Sequence, residues 1–92
     1  MNSLYVVYML ECGDGTYYIG VTRDLNRRLS EHNEGKKGAK YTKVRRPVRV
    51  VYSELAIDRS AALKREYALR QLTRVQKSAL VQKYSLKLVG DH

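Results

Sequence analysis

Cysteine, tryptophan, phenylalanine and acidic residues are scarce or missing in this chain of 92 residues. Its single cysteine, Cys12, can form neither an internal disulfide nor a cysteine-based zinc site. No apolar stretch approaches the roughly 18–20 residues of a membrane span, and the apolar start lacks the basic flank and cleavage site of a signal peptide. We therefore expect a cytoplasmic protein with no membrane segment, folded as one domain over residues 1–92.

The scarcity of acids leaves a strong positive charge. The chain has 18 Lys and Arg against 9 Asp and Glu, a net charge of +9 and a pI near 9.9. Such a field favours a polyanionic partner, either nucleic acid or an acidic membrane surface, and argues against a cationic substrate. At 43% apolar residues, the composition is also too apolar for a disordered tail.

The pattern of apolar residues predicts three strands and three helices. The strands are expected at 4–10, 16–21 and 48–55, the first covered on both faces and the third alternating. The helices are expected at 23–33 after a cap at Thr22, from Asp58 or Ser60 to Leu72, and at 75–84 after a cap at Thr73, with a frayed tail at 85–92. The order β-β-α-β-α-α predicts an α+β fold: a small, mostly antiparallel three-stranded sheet flanked by three helices.

Most of the excess positive charge lies between residues 23 and 49, which include ten basic and three acidic residues. A solvated surface is one interpretation; a footprint for phosphate groups is the other, since basic contacts to the backbone give affinity without sequence information. A membrane surface ranks below both, because the helix at 23–33 offers only two leucines. The candidate contacts to nucleic acid are Arg27, Lys36, Lys37, Lys40, Tyr41, Lys43, Arg45 and Arg46. Tyr41 is a candidate to stack on a base, or to pack against the domain.

Five other residues are of the types that form hydrolytic sites. Arg28 and His32 share one face of the first helix at i, i+4. Glu66, the only acid between Arg59 and Gly90, stands on an apolar stripe, where it is a metal ligand, an ion pair with an arginine such as Arg28, or an i, i+4 pair with Arg70.

Two tyrosines complete the set. Tyr8 and Tyr18 lie in strands that a hairpin brings together, either for catalysis or simply as packed aromatics.

Together these positions resemble the GIY-YIG nuclease superfamily, in particular its small stand-alone bacterial members. Val6-Val7-Tyr8 stands at the first tripeptide, without its glycine, and Tyr18-Ile19-Gly20 matches the second. Arg28, His32 and Glu66 follow in the family's order, and the resemblance covers about residues 4–80. The stretch Gly38-Ala39-Lys40-Tyr41-Thr42 with Arg46-Pro47 is similar to the catalytic domain of eukaryotic junction-cutting nucleases of the superfamily. The asparagine that many members carry after the glutamate has no counterpart.

The resemblance implies metal-dependent hydrolysis of phosphodiester bonds in DNA for repair or recombination, with branched, flapped or single-stranded DNA as candidate substrates. It implies Tyr8 as a general base whose pKa cationic neighbours lower, and Tyr18 as the residue that orients the water or shares the proton. It implies Arg28 as the group that stabilises the phosphate, and His32 as a hydrogen-bond partner of Tyr8 or an aid to proton removal. Glu66 would be the one carboxylate ligand of a single Mg²⁺ or Mn²⁺ ion, which binds mainly water and phosphate otherwise.

Two further hypotheses stay open. One is a non-catalytic module that binds nucleic acid on a nuclease-like scaffold. The other is a nuclease subunit whose selectivity comes from a protein partner. We expect a monomer, and DNA rather than RNA, although no feature of the sequence is specific for a 2′-hydroxyl.

Overall fold

Strand β1 is the centre of the fold. The computed structural model describes residues 4–90, with side chains as far as residue 86. In it β1 pairs antiparallel with β2 on one side and with β3 on the other, so the sheet order is β2-β1-β3. The elements are β1 (Tyr5–Glu11), β2 (Tyr17–Thr22), α1 (Leu25–Glu34), α2 (Lys40–Lys43), β3 (Arg49–Ala56), α3 (Arg59–Arg70) and α4 (Arg74–Gly90). The α+β fold with an antiparallel sheet is confirmed; the short helix α2 is an addition to the predicted order.

Each face of the sheet carries its own apolar cluster. Val7 and Met9 face α3 and α4 and pack with Ile19, Val51 and Leu69. Tyr8 and Leu10 face the opposite side and pack with Cys12, Val48, Leu25 and Leu29, the last two on α1. Since β1 supplies alternate residues to both clusters, its unbroken apolar run follows from burial on both faces. The predicted two-sided burial of this strand is confirmed.

The regular alternation expected along β3 is wrong. Met9 pairs with Tyr52 and Leu10 with Val50, a register shift that leaves Val51 as an extra residue. Val50 therefore packs with the α1-side cluster, while Val51 and Tyr52 both pack with the opposite one. A bulge of this kind turns two successive side chains to the same side of a strand.

Side-chain caps determine where the helices begin. Asp24, not Thr22, caps α1 and accepts from Arg27 N at 3.1 Å, and Asp58 caps α3 in the same way. Thr73 and Gln76 form a reciprocal capping box at the start of α4.

Helix α4 continues to Gly90, so the tail predicted to fray from residue 85 is helical as far as the structure describes it; residues 91–92 lie outside the described part. Within residues 4–90, no helix is long and apolar enough to cross a membrane.

Candidate active site

Tyr8 lies at the edge of the α1-side cluster, where it reaches across β2. Its backbone pairs with Gly20, and its side chain is 1% exposed. A Cβ atom placed on Gly20 would lie 2.6 Å from Cζ and 3.1 Å from Cε1 of Tyr8. Only glycine therefore leaves room for the phenol at this position. The absence of a side chain at residue 20 allows the Tyr8 phenol to lie over β2, where its hydroxyl meets His32.

His32 meets this hydroxyl from the last turn of α1. Leu25 and Leu29 fix the inner face of the helix, and His32 continues that stripe into the core, where it is completely buried. Its Nε2 lies 2.8 Å from the Tyr8 hydroxyl, and its Nδ1 lies 2.8 Å from the hydroxyl of Thr42 on α2. The Tyr18 ring packs edge-on against the imidazole, with 5.1 Å between centroids. Tyr8, Tyr18 and His32 are thus in direct contact.

Because Tyr8 and His32 are both buried, their neutral forms are more stable than their charged forms. It raises the pKa of Tyr8 to about 12, with further increases from the Tyr18 phenol and the Glu66 carboxylate and an opposing effect of Arg28. Burial also lowers the pKa of His32 to about 4, helped by the charge of Arg28. The cationic neighbour Arg28 does lower the pKa of Tyr8, as expected, but desolvation outweighs it, so the net change is an increase.

Arg28 stands between the phenol and the solvent. Its guanidinium donates to Glu31 at 2.9 Å and to the carbonyl of Lys37 at 2.8 Å. It also lies close enough to Tyr8 to act on its pKa by hydrogen bonding and by charge. About a quarter of its side chain is exposed, 27%, so a phosphate group can reach it from solvent.

Glu66 approaches the same phenol from α3. Its carboxylate pairs with Arg70 at 3.1 Å, and Arg70 also donates to the carbonyl of Ile19 on β2 at 3.2 Å. Of the alternatives open from the sequence, the structure shows the pair with Arg70 rather than one with Arg28, which binds Glu31. The Glu66 side chain is 18% exposed, and its charge acts on Tyr8. Tyr8, Tyr18 and Arg28 therefore gather around His32 and the Tyr8 phenol, and Glu66 lies near enough for its charge to act on that phenol.

The donor set around the Tyr8 phenol suits one kind of metal ion. Among the described residues, no group of three or more His, Cys, Asp or Glu side chains could hold a metal. A lone, partly exposed carboxylate fits Mg²⁺ or Mn²⁺, which keep most of their waters and bind through one or two carboxylates and a phosphate. It does not fit zinc, which takes three or four nitrogen or sulfur ligands, or a two-metal site.

The basic segment after α1 divides into exposed and internal residues. The side chains at Lys36, Lys37, Lys40 and Lys43 are exposed, as is Arg27, which also pairs with Glu31 at 3.4 Å. Arg46 instead donates to the carbonyls of His32 at 2.7 Å and of Gly35 at 2.6 Å, at the end of α1. Arg46 therefore has a structural role at the end of α1, and its contact with nucleic acid stays a prediction.

Tyr41 is held beside the candidate site. Arg45 lies over its ring, 3.8 Å from the centroid, and is itself fixed by Asp14 at 3.0 Å. The ring stacks towards Tyr18, with 6.0 Å between centroids. Both tyrosines border a cleft of about 300 Å³, which is lined by Tyr17, Tyr18, Ile19, Tyr41, Arg70 and Lys77.

Three residues of this region were not singled out from the sequence as site residues. Thr42 is fully buried against His32, and Arg70 and Lys77 bring positive charge from α3 and α4 to the cleft. The stretch from Gly38 to Thr42 was the available signal for Thr42. For Arg70 the signal was its spacing from Glu66, whereas nothing local marks Lys77.

Comparison with known proteins finds a matching family and several similar sequences. Residues 4–79 match the family described as the GIY-YIG catalytic domain. A UPF0213 protein from Desulfotalea psychrophila is 52% identical over 77 residues, which are 84% of this chain and 70% of that protein. A UPF0213 protein from Staphylococcus epidermidis is 50% identical over 78 residues, 85% of this chain and 94% of the relative.

Two solved structures share the fold. The solution NMR structure of a UPF0213 protein from Bacillus halodurans has a TM-score of 0.55 at 40% identity, covering 86% of this chain and 83% of the other. That of a protein from E. faecalis has a TM-score of 0.61 at 39% identity, covering 90% and 88%. Both are similar to this chain over nearly its whole length.

Proposed function

The chain belongs to the family of GIY-YIG catalytic domains, a nuclease family, and from this premise we propose that it is a metal-dependent nuclease that hydrolyses phosphodiester bonds in DNA during repair or recombination. The observation that carries the proposal is the hydrogen bond of 2.8 Å between Tyr8 and a neutral, buried His32, beside Arg28 and Glu66. A buried tyrosine–histidine pair next to a cation and a carboxylate supplies proton transfer and charge stabilisation at one point.

Tyr8 acts as a proton relay in this proposal. With a pKa of about 12 its phenol stays protonated at neutral pH and cannot serve as a ready-made anionic base. It can accept a proton from the attacking water while passing its own to Nε2 of His32, which is 2.8 Å away. A bound phosphate adds negative charge beside Arg28 and so weakens the main charge that keeps His32 neutral.

Arg28 and Glu66 supply the electrostatic part. Arg28 is exposed enough to form a charge-assisted contact with a phosphate oxygen, which gains strength as charge develops there. Glu66 would hold the Mg²⁺ or Mn²⁺ ion, whose chemistry is to neutralise charge on the phosphate and the leaving oxygen. Attack of water that breaks the bond between phosphorus and the 3′ oxygen would leave a 5′-phosphate and a 3′-hydroxyl.

The surface charge favours a path for DNA across α1, α2 and the cleft. Exposed bases follow α1 in the chain, and Arg70 and Lys77 line the cleft beside Tyr18 and Tyr41. Contacts of this type bind the phosphate backbone irrespective of sequence. The proposed contacts are Arg27, Lys36, Lys37, Lys40, Tyr41, Lys43, Arg45 and, in addition, Arg70 and Lys77.

The test is cleavage of end-labelled branched, flapped and single-stranded DNA by the purified protein in Mg²⁺. The variant Tyr8→Phe removes only the relay hydroxyl and should lower kcat by about 100-fold or more. Tyr52→Phe is the matched control, because Tyr52 bonds to Glu54 on the far strand β3 and should keep full activity. Equal cleavage by wild type and Tyr8→Phe would refute the proposed role.

A second candidate, a non-catalytic DNA-binding module, is favoured by the Arg70–Glu66 pair of 3.1 Å, which neutralises the carboxylate that a metal would need. It predicts salt-sensitive binding of DNA that is unaffected by Mg²⁺ or by Glu66→Ala, with no cleavage of any substrate.

A further inference from the structure

Behind the imidazole of His32 lies a hydroxyl group that the proposed reaction has not yet used. Thr42 on α2 is fully buried, with its Oγ1 2.8 Å from Nδ1 of His32. The same hydroxyl donates to the carbonyl of Ala39 at 3.0 Å. Since Thr42 and His32 are both 0% exposed, water cannot take the place of either partner.

The direction of these hydrogen bonds is fixed from one end by Ala39. The Thr42 hydroxyl donates its single proton to this carbonyl, which also accepts from the amides of Thr42 at 3.1 Å and Lys43 at 3.0 Å. The hydroxyl oxygen is then the acceptor for His32, and Nδ1 must carry the ring proton. In a neutral imidazole the other nitrogen, Nε2, is left without a proton and accepts.

The contact of Tyr8 with Arg28 agrees with this direction. A guanidinium only donates, and this one lies beside the Tyr8 oxygen and lowers its pKa. A lone pair of the phenol oxygen therefore faces Arg28, and the phenol proton can be donated to Nε2 of His32, 2.8 Å away. The order of donors then runs from Arg28 through Tyr8, His32 and Thr42 to Ala39.

The other groups around the imidazole make no hydrogen bond to Nδ1. These are Arg28 and Glu31 on α1, Arg46 after α2, Tyr8 on β1 and Tyr18 on β2. Arg46 donates to the backbone carbonyl of His32 and not to the ring, and Tyr18 meets the ring with its edge. Among the described residues, only Thr42 bonds to Nδ1.

We propose that Thr42 is a positioning residue for the reaction: by keeping the proton of His32 on Nδ1, it holds Nε2 ready to take the proton of Tyr8. The assignment deepens the proposed nuclease function and rests on it for its catalytic meaning. The tautomer itself is a property of the free protein, so it can be measured without substrate or metal.

The first experiment is a long-range ¹H–¹⁵N correlation spectrum of the imidazole in ¹⁵N-labelled protein at neutral pH. The chain has two histidines, so a His92→Gln background leaves His32 as the only one. Wild type and Thr42→Ser should both show a single tautomer with the proton on Nδ1. Thr42→Val keeps the shape of the side chain but loses its hydroxyl, so a substantial fraction of the His32 rings should carry the proton on Nε2. If the valine variant does not fold, Thr42→Ala replaces it in the same measurement.

The second experiment measures cleavage by the same variants. Thr42→Val should lower kcat by about 10-fold or more, with KM unchanged and activity restored in Thr42→Ser, because complete loss of general acid–base catalysis costs about 10²–10⁴-fold. An Nε2–H tautomer in wild type, or an unchanged tautomer in the folded valine and alanine variants, would overturn the proposal. A protein that shows the Nδ1–H tautomer but cuts no DNA would refute the nuclease function alone.

Discussion

The substitution Gly20→Ala tests whether the phenol of Tyr8 really crosses β2 at residue 20. The added Cβ would lie 2.6 Å from Cζ and 3.1 Å from Cε1 of Tyr8. Carbon atoms in contact are normally about 3.5–4.0 Å apart, so the ring must move by about 1 Å. Because the hydroxyl is 2.8 Å from Nε2 of His32, such a movement disturbs this hydrogen bond directly.

Two measurable effects follow from the displacement. Overpacking a buried site costs about 1–3 kcal/mol, so the free energy of unfolding in urea should fall by that amount. A displacement of about 1 Å at a reacting group lowers the rate about 100-fold. We expect kcat for DNA cleavage to fall to this extent with little change in KM, because Gly20 is buried and does not meet the substrate.

Measuring the effect of Gly20→Ala in two Tyr8 variants isolates the contact between residue 20 and the Tyr8 ring. Phenylalanine at residue 8 keeps Cζ and Cε1, so Gly20→Ala should remain destabilising in Tyr8→Phe. Leucine ends before these atoms, so in Tyr8→Leu the cost of Gly20→Ala should shrink to within about 0.5 kcal/mol of zero. An equal cost in all three backgrounds would mean that the ring does not lie over Gly20, and the derived site geometry would be wrong.

Three further predictions concern the rest of the site. Arg46→Ala should lower the free energy of unfolding by about 2–3 kcal/mol in urea titrations, because charged donors to the end of α1 are lost; a change in DNA affinity with unchanged stability would contradict its structural role. As the pH falls from 6.5 to about 4, the unfolded chain takes up a proton that folded His32 resists, so stability should drop by up to about 3 kcal/mol. His32→Gln should lose this part of the acid dependence, and an unchanged dependence would argue against a neutral buried imidazole. Four exposed bases can be replaced by alanine together: Lys36, Lys37, Lys40 and Lys43. The slope of the logarithm of the DNA-binding constant against the logarithm of the salt concentration should then flatten by about 0.9 for each lost contact to duplex DNA. An unchanged slope would show that the DNA binds elsewhere.

Local patterns in the sequence were sufficient for most of the fold. The apolar run of β1, the turn before β2 and the caps at Asp58 and Thr73 each depend on residues close in the chain. The pairing of Tyr8 with Gly20 follows from the length of one hairpin. Thr22 failed as the cap of α1 because Asp24, two residues on, is the side chain that accepts from the amide of Arg27 in the first turn.

Features that depend on distant contacts were not predictable from the sequence. Thr42 meets His32 from ten residues further along the chain, and α2 is too short to show periodicity. Arg46 reads as one more base in a basic segment until the carbonyls at the end of α1 are seen around it. The pKa of Tyr8 depends on how completely the two-sided sheet excludes water, which charge counting along the sequence does not reveal.

The central claim is that one buried site at the edge of β2 hydrolyses phosphodiester bonds. The most direct measurement is the rate of Mg²⁺-dependent DNA cleavage by wild type, Glu66→Gln and Glu54→Gln, with analysis of the product ends. Glu54 is the matched control, since it is also a partly buried carboxylate paired with an arginine, Arg65 at 2.8 Å. We expect 5′-phosphate products from wild type and Glu54→Gln and none above background from Glu66→Gln; equal cleavage by all three proteins would show that Glu66 is not part of the reacting site.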